Sequence, residues 1–371
     1  MLLTPQKQNS ITWLKLSLMS NGIRLDPDLV KVGLPRYVHK RASLSEGRCF
    51  ELTRDGKEYS INLAVYEDFV KDSPYYYDHE KKVILKNGQP VVGARLIEDP
   101  WWYSEKLPDG TPYNSMVQLH GKNILATALT GICRFKLDEE GCRFCALTPD
   151  PNERTKSFEN IASVVKALEE RGEKYTELNI NAGTVYGEDC GAEMYEEAIR
   201  EVRKVSDISI YAQLCPPEDF SYIKKLKEAG LNTISFNIEI FDEKIRSEIC
   251  PGKAKIPVSL YLDALSYAAS IFGKNQVSSW LIAGLEPKES LMAGARAVAK
   301  AGALPFITVF RPLMGSELQN RKPPEADWLY AVFEQLREIL IEYGLDPAKS
   351  VSGCAKCNCC SAGEEVLADV R

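Results

Sequence analysis

Residues 123–147, NILATALTGICRFKLDEEGCRFCAL, run an apolar, strand-like segment directly into a loop that holds Cys133, Cys142 and Cys145, with Phe144 between the last two. A structural zinc site normally closes its tetrahedron with four protein ligands, whereas a catalytic metal centre keeps one position open. The local ligand set here stops at three, because no His follows nearby and Cys190 is far along the chain. Three thiolates so placed suit three irons of a four-iron cluster, leaving the fourth iron free for a reactant. Free core cysteines have no reason to gather in a loop rich in Gly, Arg and acidic residues.

Downstream of this loop, short apolar strands alternate with amphipathic helices. The pattern predicts strands at 124–129, 177–181, 208–214, 233–238, 276–282 and 304–310, and helices at 158–171, 194–205, 219–229, 260–272 and 289–301. Several of the helices end near a glycine, as at Gly172, Gly230, Gly273 and Gly302. Continuous apolar strands alternating with helices predict a parallel sheet covered by helices, a partial or complete α/β barrel that works at the carboxyl ends of its strands. Polar residues fall at those ends: Asn181-Ala182-Gly183-Thr184 after the second strand, Gln213 on the third, Glu239 after the fourth, Arg311 after the sixth.

The expected organisation is an N-terminal α+β extension (1–110), the barrel (111–345) and a cysteine-rich tail (346–371). The extension contains strand-like GKEYSINLAVY (56–66) and KKVILKNGQPVVGARL (81–96), the latter with an Asn-Gly turn between two strands, but no catalytic constellation. Its aromatic groups Tyr75–Tyr77 and Trp101–Trp102 are read as packing residues. The tail SGCAKCNCCSA (352–362) places Cys354, Cys357 and Cys360 three residues apart, with Cys359 spare or substituting. Soft thiolates in a tight loop suit iron–sulfur or zinc, and iron–sulfur is the expectation in a chain already loaded with iron and sulfide.

Composition bounds the function. The chain has 371 residues, 44% of them hydrophobic, a formal charge of −6 and 11 cysteines, seven of which lie in the two short loops. That length supports a sizeable core, and the acidic balance without a Lys/Arg block argues against nucleic acid. No apolar run is long enough to span a membrane, and the opening residues lack a signal-peptide pattern, so a cytoplasmic, reducing location is expected.

The loop TGICRFKLDEEGCRFCAL, the strand ends, EIFDEKIRSEICPGKAK (239–255), VSSWLIAGLEP (277–287) and PFITVFRPLMGSEL (305–318) resemble the radical S-adenosylmethionine (SAM) superfamily, in its biotin-synthase-like branch. With the tail motif, the likeness is closest to the radical SAM proteins of nitrilase-linked bacterial gene clusters, over about residues 111–363. The resemblance implies a TIM-type radical SAM barrel in which Cys133, Cys142 and Cys145 ligate a [4Fe-4S] cluster. It implies SAM contacts at Phe144, Ala182, Gly183, Thr184, Glu239, Ile282 and Gly284, and a 5'-deoxyadenosyl radical that abstracts hydrogen from substrate. Arg311 and Gln213 are the expected catalytic residues, Arg311 as a fork for a carboxylate or phosphate. Cys354, Cys357 and Cys360 are the expected ligands of a second iron–sulfur cluster. A small-molecule substrate and an external reductant such as flavodoxin or ferredoxin complete the picture.

Two features depart from the superfamily pattern. Eight residues rather than three separate the first two cysteines, and the second strand ends in NAGT rather than Gly-Gly-Glu, so sulfur insertion of the biotin-synthase kind does not transfer. Two other classes compete. One is a zinc-stapled scaffold in which Cys142 and Cys145 join Cys354 and Cys357; the other is a metal-free lyase using Glu239 and a strand-end lysine.

Overall fold

The computed structural model describes residues 10–31, 47–147 and 154–369. Residues 1–9 and 32–46 of the expected extension and 370–371 of the tail lie outside the described residues.

The chain builds two sheets. The first is antiparallel, in the order β2-β1-β5-β4-β3, from β1 (Arg48–Arg54), β2 (Lys57–Leu63), β3 (Tyr75–Asp78), β4 (Val83–Lys86) and β5 (Gln89–Leu96). The predicted Asn-Gly turn joins β4 to β5 with Asn87 and Gly88 both at positive φ (50° and 81°), the geometry whose twist matches a hairpin. Tyr75, Tyr77 and Trp102 are buried, as packing residues should be, whereas Tyr76 is half-buried and Trp101 is exposed.

The second sheet has seven strands in the order β12-β11-β10-β9-β8-β7-β6. β7 (Ile124–Ala128), β8 (Glu177–Asn181), β9 (Ser209–Leu214), β10 (Thr233–Phe236), β11 (Val277–Ala283) and β12 (Leu304–Val309) are parallel, while β6 (Gln118–His120) pairs antiparallel with β7. β12 and β6 are the two edges, so the α/β barrel is open. The six parallel strands fall within two residues of the sequence reading. The antiparallel edge strand was not foreseen, because three residues are too few to show a period.

Helices α2 (Phe158–Glu170), α3 (Ala192–Arg203), α4 (Ser221–Glu228), α5 (Glu243–Ile249), α6 (Val258–Phe272), α7 (Lys288–Lys300) and α8 (Ala326–Glu342) follow the parallel strands, α5 and α6 both after β10. Their apolar stripes bury Val164, Ile199, Leu226, Leu265, Val298 and Phe333 in one core with the outward-facing strand residues Leu178, Ile180 and Ile210. Alternation along a strand then points the other set into the lumen. On β8 this set is Glu177, Asn179 and Asn181, a polar ladder from the lower end of the barrel to its mouth.

An N-terminal helix, α1 (Ile11–Asn21), wedges between the two bodies: Leu14 and Leu18 join the core of the small sheet, and Leu16 joins that of the barrel. A helix buried on several faces has no amphipathic stripe for a sequence reading to detect.

Candidate active site

The cysteine loop begins where β7 ends and is fixed by backbone contacts to neighbouring strand ends. The Thr130 carbonyl accepts from Gly183 N (3.2 Å), and the Thr184 carbonyl accepts from Arg134 N (2.7 Å). A Cβ at Gly183 would lie 2.0 Å from the Ile132 carbonyl oxygen and 2.8 Å from Cys133 Cβ, so only glycine permits this approach. The long spacing between the first two cysteines folds into a helical turn, Arg134–Leu137, whose Phe135 packs on Gly252. Lys136 Nζ donates to the Cys145 carbonyl (2.9 Å) and closes the loop. The Cys250 thiol donates to Cys142 and holds it below an ordinary thiol pKa, whereas burial pushes Cys145 up to about 12.

All three loop cysteines line one cavity of about 300 Å³, together with Phe144, Ala182, Gly183, Thr184, Gln213, Glu239, Ile282 and Arg311. Gly284 does not line it; with φ 104° it packs against Pro324 and offers its carbonyl to Arg321 Nη2 (2.9 Å). Glu239 has a left-handed backbone (φ 68°), which for a non-glycine residue is strained, and its N–H and C=O bridge to Trp280 and Ile282 of β11 (both 2.9 Å). Its carboxylate is buried and accepts from Lys253 Nζ at 2.9 Å. Burial pulls the Lys253 ammonium down, but Glu239 and Cys215 outweigh it and hold the group well above its usual range. In this ion pair Lys253 is engaged by Glu239 rather than free to serve a metal-free lyase as nucleophile. Arg311 borders the cavity and donates to the Asn62 carbonyl of β2 (2.9 Å). Gln213 accepts from Asn237 Nδ2 (3.1 Å) and reaches Cys354 Sγ (3.5 Å).

The tail closes the opposite end. Gly353 N donates to Glu177 at the start of β8 (2.9 Å), and a Cβ on Gly353 would strike the Tyr211 ring at 2.6 Å. Burial pushes Glu177 up to about 8. Cys354, Cys357, Cys359 and Cys360 thus line the floor of the cavity whose mouth carries the first three cysteines. Four strand steps along β8 separate the two levels, about 13 Å.

The structure brings Cys357 against His120, which the tail spacing did not suggest, and against Cys359, the thiol read as spare or substituting. Among the described residues, one set of His, Cys, Asp or Glu ligand atoms lies mutually within 4.8 Å: His120, Cys357 and Cys359. Burial disfavours a charged His120, but the Cys357 thiolate beside it raises it to about 9; Cys357 is held well below a normal thiol, chiefly by a hydrogen bond from Cys359. Cys142 and Cys145 do not join Cys354 and Cys357 in such a set, because the pairs sit at opposite ends of the strands. The four-cysteine zinc staple is therefore corrected. His120 lies on the unforeseen edge strand and Cys49 in the extension; one of three histidines and an isolated cysteine give no local signal.

Cys133, Cys142 and Cys145 fit a cluster. They border a cavity on one side, and they do not form a set at the mutual distance of single-ion ligands. An open parallel barrel with a three-thiol loop at its mouth is an arrangement that suits a metal-dependent barrel enzyme.

The model of the radical SAM superfamily matches residues 128–290. The bacteriochlorophyllide c C-7(1)-hydroxylase of Chlorobaculum limnaeum is 29% identical over 279 residues, covering 69% of this chain and 69% of its own. A 5-amino-6-(D-ribitylamino)uracil–L-tyrosine 4-hydroxyphenyl transferase of Methanococcus maripaludis is 31% identical over 144 residues, 34% of this chain and 39% of its own. The FeFe-hydrogenase maturase HydG from Carboxydothermus hydrogenoformans aligns over 59% of this chain and 52% of its own, with 19% identity and a TM-score of 0.48. Residues 128–290 carry the match to the radical SAM superfamily, and the protein is a radical SAM enzyme. No described helix is long and apolar enough to cross a membrane.

Proposed function

We propose that this enzyme abstracts hydrogen from a carbon of a small molecule held in the barrel lumen between the two thiol-bearing ends. The observation that carries the reading is that the three-thiol loop and the expected SAM-contacting segments line the same cavity as an inward-facing polar wall. When bound at Cys133, Cys142 and Cys145, a [4Fe-4S] cluster and SAM supply reductive cleavage to methionine and a 5'-deoxyadenosyl radical. The chain's own residues position and shield. Ala182, Gly183 and Thr184 form the wall beside the loop, and Gly183 sets its distance from Cys133. The Glu239 carboxylate, fixed by Lys253, offers an acceptor to hydroxyl or ammonium groups. Phe144 and Ile282 border the cavity and exclude water from it.

Lower in the lumen, Trp280 Nε1 and Asn179 Oδ1 are buried without a protein partner, and both residues line the cavity. A substrate that presents an acceptor to Trp280 and a donor to Asn179 satisfies both, and binding repays their desolvation. Arg311 is the candidate grip for a substrate carboxylate or phosphate, and Gln213 for a neighbouring polar group. The relatives named as a hydroxylase and a 4-hydroxyphenyl transferase support chemistry at a carbon centre. The order of motifs and the tail favour the biotin-synthase-like branch and the nitrilase-linked proteins, a cytoplasmic setting, and an external flavodoxin or ferredoxin. The C-x-x-C-x-x-C spacing of Cys354, Cys357 and Cys360 favours a second iron–sulfur cluster; the packing of His120 and Cys359 on Cys357 favours a single ion.

Anaerobic reconstitution with iron and sulfide, followed by spin-resonance spectra with and without SAM, tests the reading. A reduced signal that shifts on adding SAM and is lost in the Cys133/Cys142/Cys145 triple alanine variant supports it. A colourless, zinc-containing protein with no response to SAM overturns it.

A further inference from the structure

The floor of the lumen has donors that the cysteine-loop chemistry does not use. We infer that it is a second, mononuclear metal site, with His120, Cys357 and Cys359 as ligands and the fourth coordination position facing the substrate cavity. The inference shares with the proposed function only the cavity, and it stands on the geometry of the floor.

Spacing decides the type of centre. Thiolates bound to one tetrahedral ion at about 2.3 Å lie about 3.8 Å apart. An iron–sulfur cube places its own atoms between its thiolates and spreads them further. The ligand atoms of His120, Cys357 and Cys359 all lie within 4.8 Å of one another, in the single-ion range. Two thiolates and an imidazole select a borderline-soft divalent ion of the zinc class. The other tail thiols are turned elsewhere: Cys354 Sγ faces Gln213 Nε2 at 3.5 Å, and neither Cys354 nor Cys360 belongs to the close set.

The ligands are held by partners from distant parts of the chain, as metal ligands require. The Cys359 carbonyl accepts from Asn62 N (2.9 Å), and Asn62 Nδ2 donates to Cys49 Sγ (3.3 Å) beside Cys359. Asn358 adopts a left-handed turn (φ 51°) between the two ligand cysteines. Its side chain donates to Glu365 (2.7 Å) and its carbonyl accepts from Lys15 Nζ (2.9 Å). Cys49 is therefore a positioning residue. All three ligands border the cavity and Cys49 does not, so the fourth position opens toward substrate, where the ion acts as a Lewis-acid anchor for a substrate oxygen or nitrogen.

The test uses the full chain carrying the Cys133/Cys142/Cys145 triple alanine substitution, stripped of metal without oxygen and titrated with cobalt(II). One equivalent should bind, with the intense ligand-field and thiolate charge-transfer bands of a tetrahedral site, and zinc(II) should displace it. Added azide should shift the bands if the fourth position is open. Adding Cys357→Ser, Cys359→Ser or His120→Asn should each weaken binding by at least about 100-fold, while Cys354→Ser and Cys360→Ser leave it unchanged; circular dichroism checks that each variant is folded. Three results would overturn the assignment: no binding in folded protein, an iron and labile-sulfide centre that needs Cys354 and Cys360, or bands that ignore azide and disappear with Cys49→Ala. Because the variant lacks the upper thiols, failure of the radical chemistry leaves this result standing, and the reverse also holds.

Discussion

The two thiol-rich ends of the barrel are made in opposite ways. At the mouth, Cys133, Cys142 and Cys145 come from one loop of thirteen residues, and a few backbone contacts to neighbouring strand ends shape it. At the floor, His120 comes from an edge strand, Cys357 and Cys359 from the tail, and their supports from α1 and the small sheet. A local site tolerates change elsewhere in the fold. A dispersed site exists only when the whole fold is complete, so perturbations at the two ends should separate cleanly.

The largest expected effect is at the mouth. Replacing any one of Cys133, Cys142 or Cys145 by Ala should cut formation of 5'-deoxyadenosine from SAM by at least about 1,000-fold, measured chromatographically, with little change in melting temperature. Next is the floor: Lys15→Met leaves buried Glu365 without its 2.6 Å partner and should cost about 3–5 kcal/mol in denaturant unfolding. The same variant should raise hydrogen exchange across 352–368 while leaving the cysteine loop protected, and equal loosening at both ends would break the contrast.

Lys253→Met should cost somewhat less, about 3 kcal/mol, because the Glu239 pair is slightly exposed; pairing it with Glu239→Gln should restore part of the loss in a double-mutant cycle. Gly183→Ala inserts a methyl group against the Ile132 carbonyl and should cost about 1–3 kcal/mol, with a further loss of cluster occupancy measured by iron content. The smallest effect is in the lumen between the ends. Trp280→Phe removes the unpartnered N–H and should weaken substrate binding by about 1 kcal/mol, read as a rise in KM of roughly fivefold with stability unchanged.

The same contrast governs what could be read from the chain. The parallel strands are short apolar runs bounded by polar ends, so 177–181 and the other five were legible within two residues. Gly183 and Glu239 sit at those ends and were legible with them. The pairing of Lys253 with Glu239 was not, since a lysine in a single helical turn carries no sign of its partner. Gly284 matched a motif but turned out to serve the packing of Pro324 rather than the cavity. His120 and Cys49 were invisible because their roles depend on contacts across more than two hundred residues of chain. α1 was invisible because burial on both sides erased its stripe.

The buried Lys15–Glu365 bridge joins residues 350 positions apart. Closing so long a loop is entropically costly and slow compared with forming successive βα units. Assembly of the strands is therefore expected to precede docking of the tail, which refolding followed by pulsed hydrogen exchange would show as later protection of 352–368 than of the strands. Reversal of that docking is a partial opening that need not disturb the mouth. Loading and loss of whatever the floor holds would then be timed by the residence of the docked tail, on a clock independent of turnover at the other end.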